Sequence, residues 1–214
     1  MNMVHSRRFV LSLVAASAFV ATSFAVLPHA SAADGAENKM NVRGSVVSLS
    51  GNTLQVKSRD GKMLNVALAD GFKVSGVTTA GMADIQPGSF VGIASLPKAD
   101  GGSGALEVLV FPPAMKGTGE GSYAWDLQPN SSMTNATVAN AVKGVDGHTV
   151  TVTYHGKEKK IDVPPGTPIV TFGPATRDDL VPGAVVFIPA IQDAKGGLAA
   201  SRLVVGTKGV VPPM

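Results

Sequence analysis

The sequence has 214 residues, with 18 Lys and Arg against 15 Asp and Glu, a formal net charge of +3 and no cysteine. The lack of cysteine excludes a disulfide framework, a thiolate zinc site and a cysteine nucleophile. The 25 glycines follow no G-X-Y period, which excludes a collagen-like chain.

Residues 1–32 are predicted to be a secretory signal peptide and not part of the fold. Arg7 and Arg8 provide a positive start, residues 9–27 form an apolar run, and residues 30–32 form a small-residue cleavage site. The alternative is an uncleaved membrane anchor, but a proline after the apolar run and the cleavage site argue against it. We therefore expect the mature protein in the periplasm or outside the cell.

Cleavage of this segment changes the charge balance. It removes two of the 18 basic residues and none of the 15 acidic residues, which leaves 16 against 15 and a net charge of +1. The mature chain has a short basic cluster of Lys157, Lys159 and Lys160, whereas nucleic-acid binding proteins show a longer basic stripe. No later apolar run approaches the ~18 residues of a membrane helix. The sequence therefore predicts neither a nucleic-acid partner nor an integral membrane protein after cleavage.

The remaining chain contains one sequence unit twice. Residues 51–56 match residues 147–152 at an offset of 96, and residues 84–88 match residues 179–183 at an offset of 95. The one-residue difference falls at a predicted hairpin turn. Glycines and prolines stay in register along both copies, which predicts two units of the same fold.

Each unit is predicted to form five short strands with a helical turn between the third and the fourth. In the first copy, Gly51-Asn52 and Asp60-Gly61 are turn-forming pairs between strands of alternating apolar residues. This order is typical of an OB-like barrel, and a two-sheet sandwich is the alternative. The fold class is therefore all-β, as two tandem OB-like small β-barrels.

The predicted organisation has five parts. These are the signal peptide (1–32), a first OB-like unit (42–111), a nonrepeated connector containing Gly and Trp (112–136), a second OB-like unit (137–207) and an extended tail (208–214). A unit of about 70 residues buries only about 60% of its chain surface on folding. We therefore expect the two units to pack against each other.

The connector contains the candidate binding residues. It holds the single tryptophan and one of the two tyrosines, and it is longer than a typical loop. Aromatic side chains beside polar ones in such a segment favour a ligand or partner surface, for which we select Glu120, Tyr123, Trp125, Asp126 and Asn130. The competing interpretation is that Trp125 fills the seam between the barrels, and the two are compatible because ligands often bind at domain seams.

No other pattern predicts a catalytic residue, a metal site or a cofactor. Gly117-x-Gly119-x-Gly121 lacks the following helix and the Gly-Lys-Ser/Thr ending of a phosphate loop. His148 and His155 flank one predicted strand, about 20 Å apart, and could not share a metal ion. An aspartate recurs before the same turn in both copies, at Asp84 and Asp179, which is typical of a residue that caps a turn.

The repeated motifs resemble a known family. Residues 51–62, Gly-Asn-Thr-Leu-Gln-Val-Lys-Ser-Arg-Asp-Gly-Lys, and residues 84–92, Asp-Ile-Gln-Pro-Gly-Ser-Phe-Val-Gly, resemble an uncharacterised secreted bacterial family called domain of unknown function 5666. Segments 116–121 and 125–131 are similar to a two-repeat subgroup from soil alphaproteobacteria, and the resemblance covers residues 42–214. It implies a periplasmic β-domain without known catalytic residues. The label "metal ABC transporter permease", often given to this subgroup, does not fit a chain without several membrane helices.

The leading hypothesis is a noncatalytic periplasmic protein that binds or scaffolds an unknown envelope protein or glycan. Its basis is the signal peptide, the duplicated β-unit and the absence of a catalytic constellation. One alternative is a metal-handling periplasmic protein. The other is a carbohydrate-binding module that stacks sugars on Tyr123 and Trp125.

Overall fold

The computed structural model describes residues 38–144 and 147–212, so the predicted signal peptide lies outside the described residues. Within them, the chain is all-β, with single-turn 3-10 helices at Met82–Asp84, Pro113–Met115 and Arg177–Asp179. The strands are β1 (Asn38–Ser50), β2 (Thr53–Ser58), β3 (Met63–Thr79), β4 (Phe90–Pro97), β5 (Ser103–Val110), β6 (Gly121–Ala124), β7 (Ser132–Gly144), β8 (Gly147–Tyr154), β9 (Lys157–Val163), β10 (Ile169–Gly173), β11 (Val185–Gln192) and β12 (Leu198–Gly206). None of the helices in these two ranges is long and apolar enough to cross a membrane.

The hairpin turn that distinguishes the two copies is formed in both. In the first copy, β2 and β3 are joined through Gly61, whose φ is 82°, and Ser58 N donates to Lys62 O at 2.8 Å. In the second copy, His155 and Gly156 alone join β8 to β9, with φ values of 45° and 73°. Positive φ at both residues is the geometry of a two-residue hairpin turn. The shorter turn explains why the offset between the copies falls from 96 to 95.

The helical turn predicted between the third and the fourth strand is present in both copies. The repeated aspartate caps each turn: Gly81 N donates to Asp84 Oδ2 at 2.8 Å, and Thr176 N donates to Asp179 Oδ2 at 2.7 Å. These carboxylates satisfy backbone N–H groups at the start of a turn. The structural role predicted for Asp84 and Asp179 is confirmed.

One five-strand barrel closes around an apolar core. Its ring runs β1–β2–β3–β12–β11, and β11 pairs back with β1 from Asn38↔Gln192 to Ser45↔Val185. The ring is closed on its other side by the parallel pair β3 and β12, which ends at Gly206↔Val77. Closure of the ring excludes an open two-sheet sandwich here. The largest fully buried side chains of this core are Val42, Leu54, Val56, Val66, Ile188 and Leu203.

A second ring is formed by β4, β5, β9, β8 and β7. β5 meets β9 at one position, Gly104↔Asp162, and then runs parallel to β10 from Ile169↔Val108 to Thr171↔Val110. β9 and β10 together correspond to β3, but residues 164–168 between them include three prolines. Proline cannot donate a backbone hydrogen bond to a ladder, so the strand is interrupted there. The core of this ring includes Val91, Ile93, Val108, Val138, Val150 and Ile161.

The two rings exchange strands between the repeats. The first barrel combines β1, β2 and β3 with β11 and β12 of the second copy, whereas the second ring combines β7, β8 and β9 with β4 and β5 of the first copy. The predicted division into separate units at 42–111 and 137–207 therefore differs from the structure, because neither segment closes a barrel with its own strands.

The antiparallel pair β3 and β10 joins the two rings. Its register runs from Val170↔Thr79 to Gly173↔Gly76, and a third apolar cluster of Val77, Leu109 and Val170 lies at this joint. The last residues of β3 pair with β10 beside the second ring, so the next strand, β4, is part of the second ring. In the second copy, β10 pairs with β3 beside the first barrel, so the next strand, β11, is part of the first barrel. This path of the chain explains the exchange.

The start of the C-terminal tail, predicted to be extended over residues 208–214, forms a turn at residues 207–210; residues 213 and 214 lie outside the described residues. Lys208 and Gly209 have φ values of 53° and 79°, and Val210 N donates to Thr207 O at 3.1 Å, which closes a turn. Thr207 N and Thr207 Oγ1 both donate to Val77 O, at 3.1 and 2.8 Å. These bonds hold the start of the tail against the joint between the rings.

Candidate binding surface

The nonrepeated connector adds a strand to the second ring. Gly117, Gly119 and Gly121 have positive φ values of 87°, 60° and 141°, so a series of tight turns leads into β6 and not into a helix. β6 pairs with the start of β7 from Gly121↔Asn135 to Ala124↔Ser132. Since β4 occupies the opposite edge of β7, β6 lies beyond the end of β8 on the same side of the ring. This position directs the residues that follow β6 towards the first barrel.

Trp125 packs against the first barrel through Arg43 on β1 and Phe187 on β11. Its ring centroid is 6.2 Å from that of Phe187, and the Cζ of Arg43 lies 5.5 Å from the Trp125 centroid and 5.1 Å from the Phe187 centroid. Arg43 is only 9% exposed. A guanidinium lying against two aromatic rings gains cation–π attraction that is stronger away from water. Trp125 thus links the strand added to the second ring with the first barrel.

Asp126 contacts the same guanidinium through its carboxylate. Its Oδ1 accepts hydrogen bonds from Arg43 Nη2 at 2.7 Å and from Asn41 Nδ2 at 3.0 Å. Partial burial acts to raise the pKa of Asp126, but the hydrogen bonds from Arg43 and Asn41 outweigh it, and the pKa is lowered. The carboxylate therefore stays ionised and holds Arg43 in place.

Tyr123 is the most accessible aromatic residue of the predicted surface. Its side chain is 42% exposed, and its ring centroid is 6.2 Å from that of Trp125 in an edge-to-face arrangement. Its hydroxyl accepts a hydrogen bond from Asn135 Nδ2 at 3.2 Å, and the same amide donates to Thr118 O at 3.1 Å. The ring is therefore fixed at one end and open to solvent beside Trp125.

Glu120 and Asn130 do not join this group. Glu120 Oε1 accepts a hydrogen bond from His155 N at 3.0 Å, which ties the connector to the turn between β8 and β9. Asn130 has a φ of 64° in the loop that Trp125 N closes by donating to Ser131 O at 2.9 Å. Asparagine adopts this left-handed conformation more readily than most residues. Of the five predicted residues, the structure brings together Tyr123, Trp125 and Asp126.

Sequence reasoning missed Arg43, Phe187 and a buried glutamate, Glu107, on β5. Glu107 is 8% exposed, and burial raises its pKa to about 7, although the positive charges of Arg43 and Arg59 act in the opposite direction. Glu107 Oε1 and Trp125 Nε1 are buried without a hydrogen-bond partner. A single acidic residue within the apolar run of β5 was the available signal for Glu107.

The two histidines of the described residues lie near opposite ends of β8. His148 was predicted to lie in a turn, but it lies within β8 and pairs with Val163 of β9. His155 occupies the turn after β8, as predicted. Among residues 38–144 and 147–212, no group of three or more His, Cys, Asp or Glu is placed to hold a metal ion.

The fold and the surface together define an all-β barrel protein. In its described residues, Tyr123 lies on the strand added to the second ring, and Trp125, which follows that strand, contacts the first barrel. No family model, curated protein or solved structure matches the chain.

Proposed function

We propose that the chain is a noncatalytic binding or scaffolding protein of the periplasm, built from two OB-like barrels that exchange their last two strands. Each ring has three consecutive strands of one copy, the last two strands of the other, and a helical turn before the fourth strand. This strand inventory supports the OB-like assignment. The predicted signal peptide supports the location, and the resemblance to the secreted family agrees with it.

The main support for this proposal is the exposed Tyr123 ring, which lies on the connector, a segment that the repeat does not duplicate. The strands of the two rings come from both copies of the repeat, whereas the connector occurs once in the sequence. Trp125 and Asp126 are held by Arg43, so Tyr123 is presented on a fixed base. Aromatic side chains fixed in advance lose little conformational freedom on binding and are frequent anchors of interfaces.

The same contacts favour a protein partner over a glycan stacked on both rings. A sugar needs an open ring face, but Arg43 and Phe187 lie against Trp125. Tyr123 is then the accessible ring, which suits an anchor residue at the edge of a protein interface.

Photo-crosslinking in cells tests the proposal. A benzoylphenylalanine replaces Tyr123 in the full chain, and the matched control carries it at Met63, which is 51% exposed on β3. We expect a discrete cross-linked species from position 123 and none from position 63. Equal cross-linking at both positions, or none at position 123, would overturn the proposed surface.

Two further measurements separate the alternatives. Retention on envelope polysaccharide that is lost in Tyr123→Ala would replace the protein partner with a glycan. A one-ion adduct in native mass spectrometry that a chelator removes would replace the proposal with metal handling.

A further inference from the structure

One end of the second ring contains a half-buried lysine among hydroxyl groups. Lys159 on β9 donates hydrogen bonds from Nζ to Thr134 Oγ1 at 3.1 Å and to Ser132 Oγ at 3.3 Å, both on β7. Thr134 Oγ1 lies 2.9 Å from Ser122 Oγ on β6, and Ser132 Oγ lies 3.3 Å from Ser95 Oγ on β4. Four strands thus bring an ammonium group and four hydroxyls to one place.

The cluster faces the interior of the ring and reaches solvent at its edge. Thr134 and Ser95 are 0% exposed, whereas Ser122 is exposed and Lys159 is half-buried. Lys159 lies on the same face of β9 as Ile161, which is part of the ring's core. Ser122 and Tyr123 are neighbours on β6 and therefore point to opposite faces, so this cluster is separate from the Tyr123 surface.

The internal repeat provides a comparison for this end of the ring. At an offset of 95, Leu64 corresponds to Lys159 and Ala190 corresponds to Ser95. Leu64 packs against the core of the first barrel, and Ala190 is buried within it. The first barrel thus has apolar side chains at the positions where the second ring has Lys159 and Ser95. The polar cluster is therefore not a requirement of the fold.

The ammonium group has no acidic partner in residues 38–144 and 147–212, where the ion pairs involve other side chains. Burial lowers the pKa of Lys159. Removing an ammonium group from water without a counter-charge is unfavourable, and an anion at this position would relieve that cost. Lys159 has three N–H donors, of which the two hydroxyls accept two. The hydroxyl hydrogens can rotate to donate to a ligand, and Lys157, on the same face of β9 as Lys159, adds positive charge nearby.

We propose that this end of the second ring binds a small oxyanion between Lys159 and the hydroxyl groups of Ser122, Ser132 and Thr134. The site goes beyond the proposed function, because it uses the opposite face of β6 and does not require a partner on Tyr123.

Titration of the full chain with inorganic phosphate at constant ionic strength tests the site by NMR. We expect shifts of the Ser122 and Thr134 amide signals and a rise in the measured pKa of Lys159. Lys159→Leu, which copies Leu64, should weaken binding by at least about tenfold, equivalent to about 1.4 kcal/mol. Lys160→Leu is the matched control on an exposed position of β9 and should change the affinity less than about twofold.

A second variant and two other anions complete the test. Ser122→Ala, at an exposed position, should weaken binding severalfold without unfolding the protein. Sulfate and acetate titrations distinguish a tetrahedral anion from a carboxylate. Equal phosphate binding by wild type and Lys159→Leu, or no shift at the cluster, would overturn the site. Either result leaves the cross-linking test at Tyr123 unaffected.

Discussion

Glu107 should make the stability of this protein fall as the pH rises through neutrality. Burial raises its pKa from 4.5 to about 7. The folded protein therefore binds more protons at Glu107 than the unfolded chain between these values, and stability decreases with pH across that window. The difference of about 2.5 pKa units corresponds to about 3 kcal/mol, absent below pH 4.5 and fully expressed above pH 7.

Glu107→Gln removes this dependence while it keeps the size of the side chain. The variant should match the wild type near pH 4.5 and be more stable by up to about 3 kcal/mol at pH 8. Urea unfolding at several pH values, followed by the fluorescence of the single Trp125 and by circular dichroism, measures the difference. Comparing variant with wild type at each pH cancels the titration of other groups.

Glu158→Gln, at an exposed position of β9, is the control and should stay within about 0.5 kcal/mol of the wild type at every pH. A difference between Glu107→Gln and wild type that does not change with pH would refute the reasoning. A variant less stable than wild type at pH 8 would show that Glu107 gains more from its positive neighbours than it loses by burial.

The remaining predictions concern the contacts between the rings. Arg43→Met should destabilise the protein by about 2–4 kcal/mol, because it removes the ion pair with Asp126 and the contacts of the guanidinium with the Trp125 and Phe187 rings, and it should shift the tryptophan emission. Ile188→Ala and Ile161→Ala, one in each core, should each cost about 2–5 kcal/mol in urea unfolding. Both should move one common transition, since each ring is built from two chain segments that are connected through the other ring and β3 pairs with β10 between them. Two separate transitions would contradict this coupled unfolding. Fragments 38–111 and 132–212 should each be unfolded by circular dichroism when expressed alone and should fold when mixed.

Local features of the fold could be predicted from the sequence because neighbouring residues determine them. Gly61 supplies the positive φ of one hairpin turn, and Asp84 and Asp179 mark the capped turns. The alternation of apolar residues located the strands of both copies, since alternate side chains point to one face of a strand. The candidate surface was proposed from a different feature of the sequence, an aromatic segment that breaks the repeat.

Which strands close each ring depended on the tertiary structure. Both copies carry a similar apolar pattern, so the sequence does not tell which copy's last strand pairs with β3. In the structure, β3 pairs with β12 of the second copy, and β10 lies between β3 and β5. The surface followed the same rule: Trp125 was recognisable in the sequence, but Arg43 and Phe187 were not, because they reach it only after β1 and β11 pair. Turns and alternation depend on residues close in the chain, whereas the exchange and the buried Arg43 depend on contacts between distant segments.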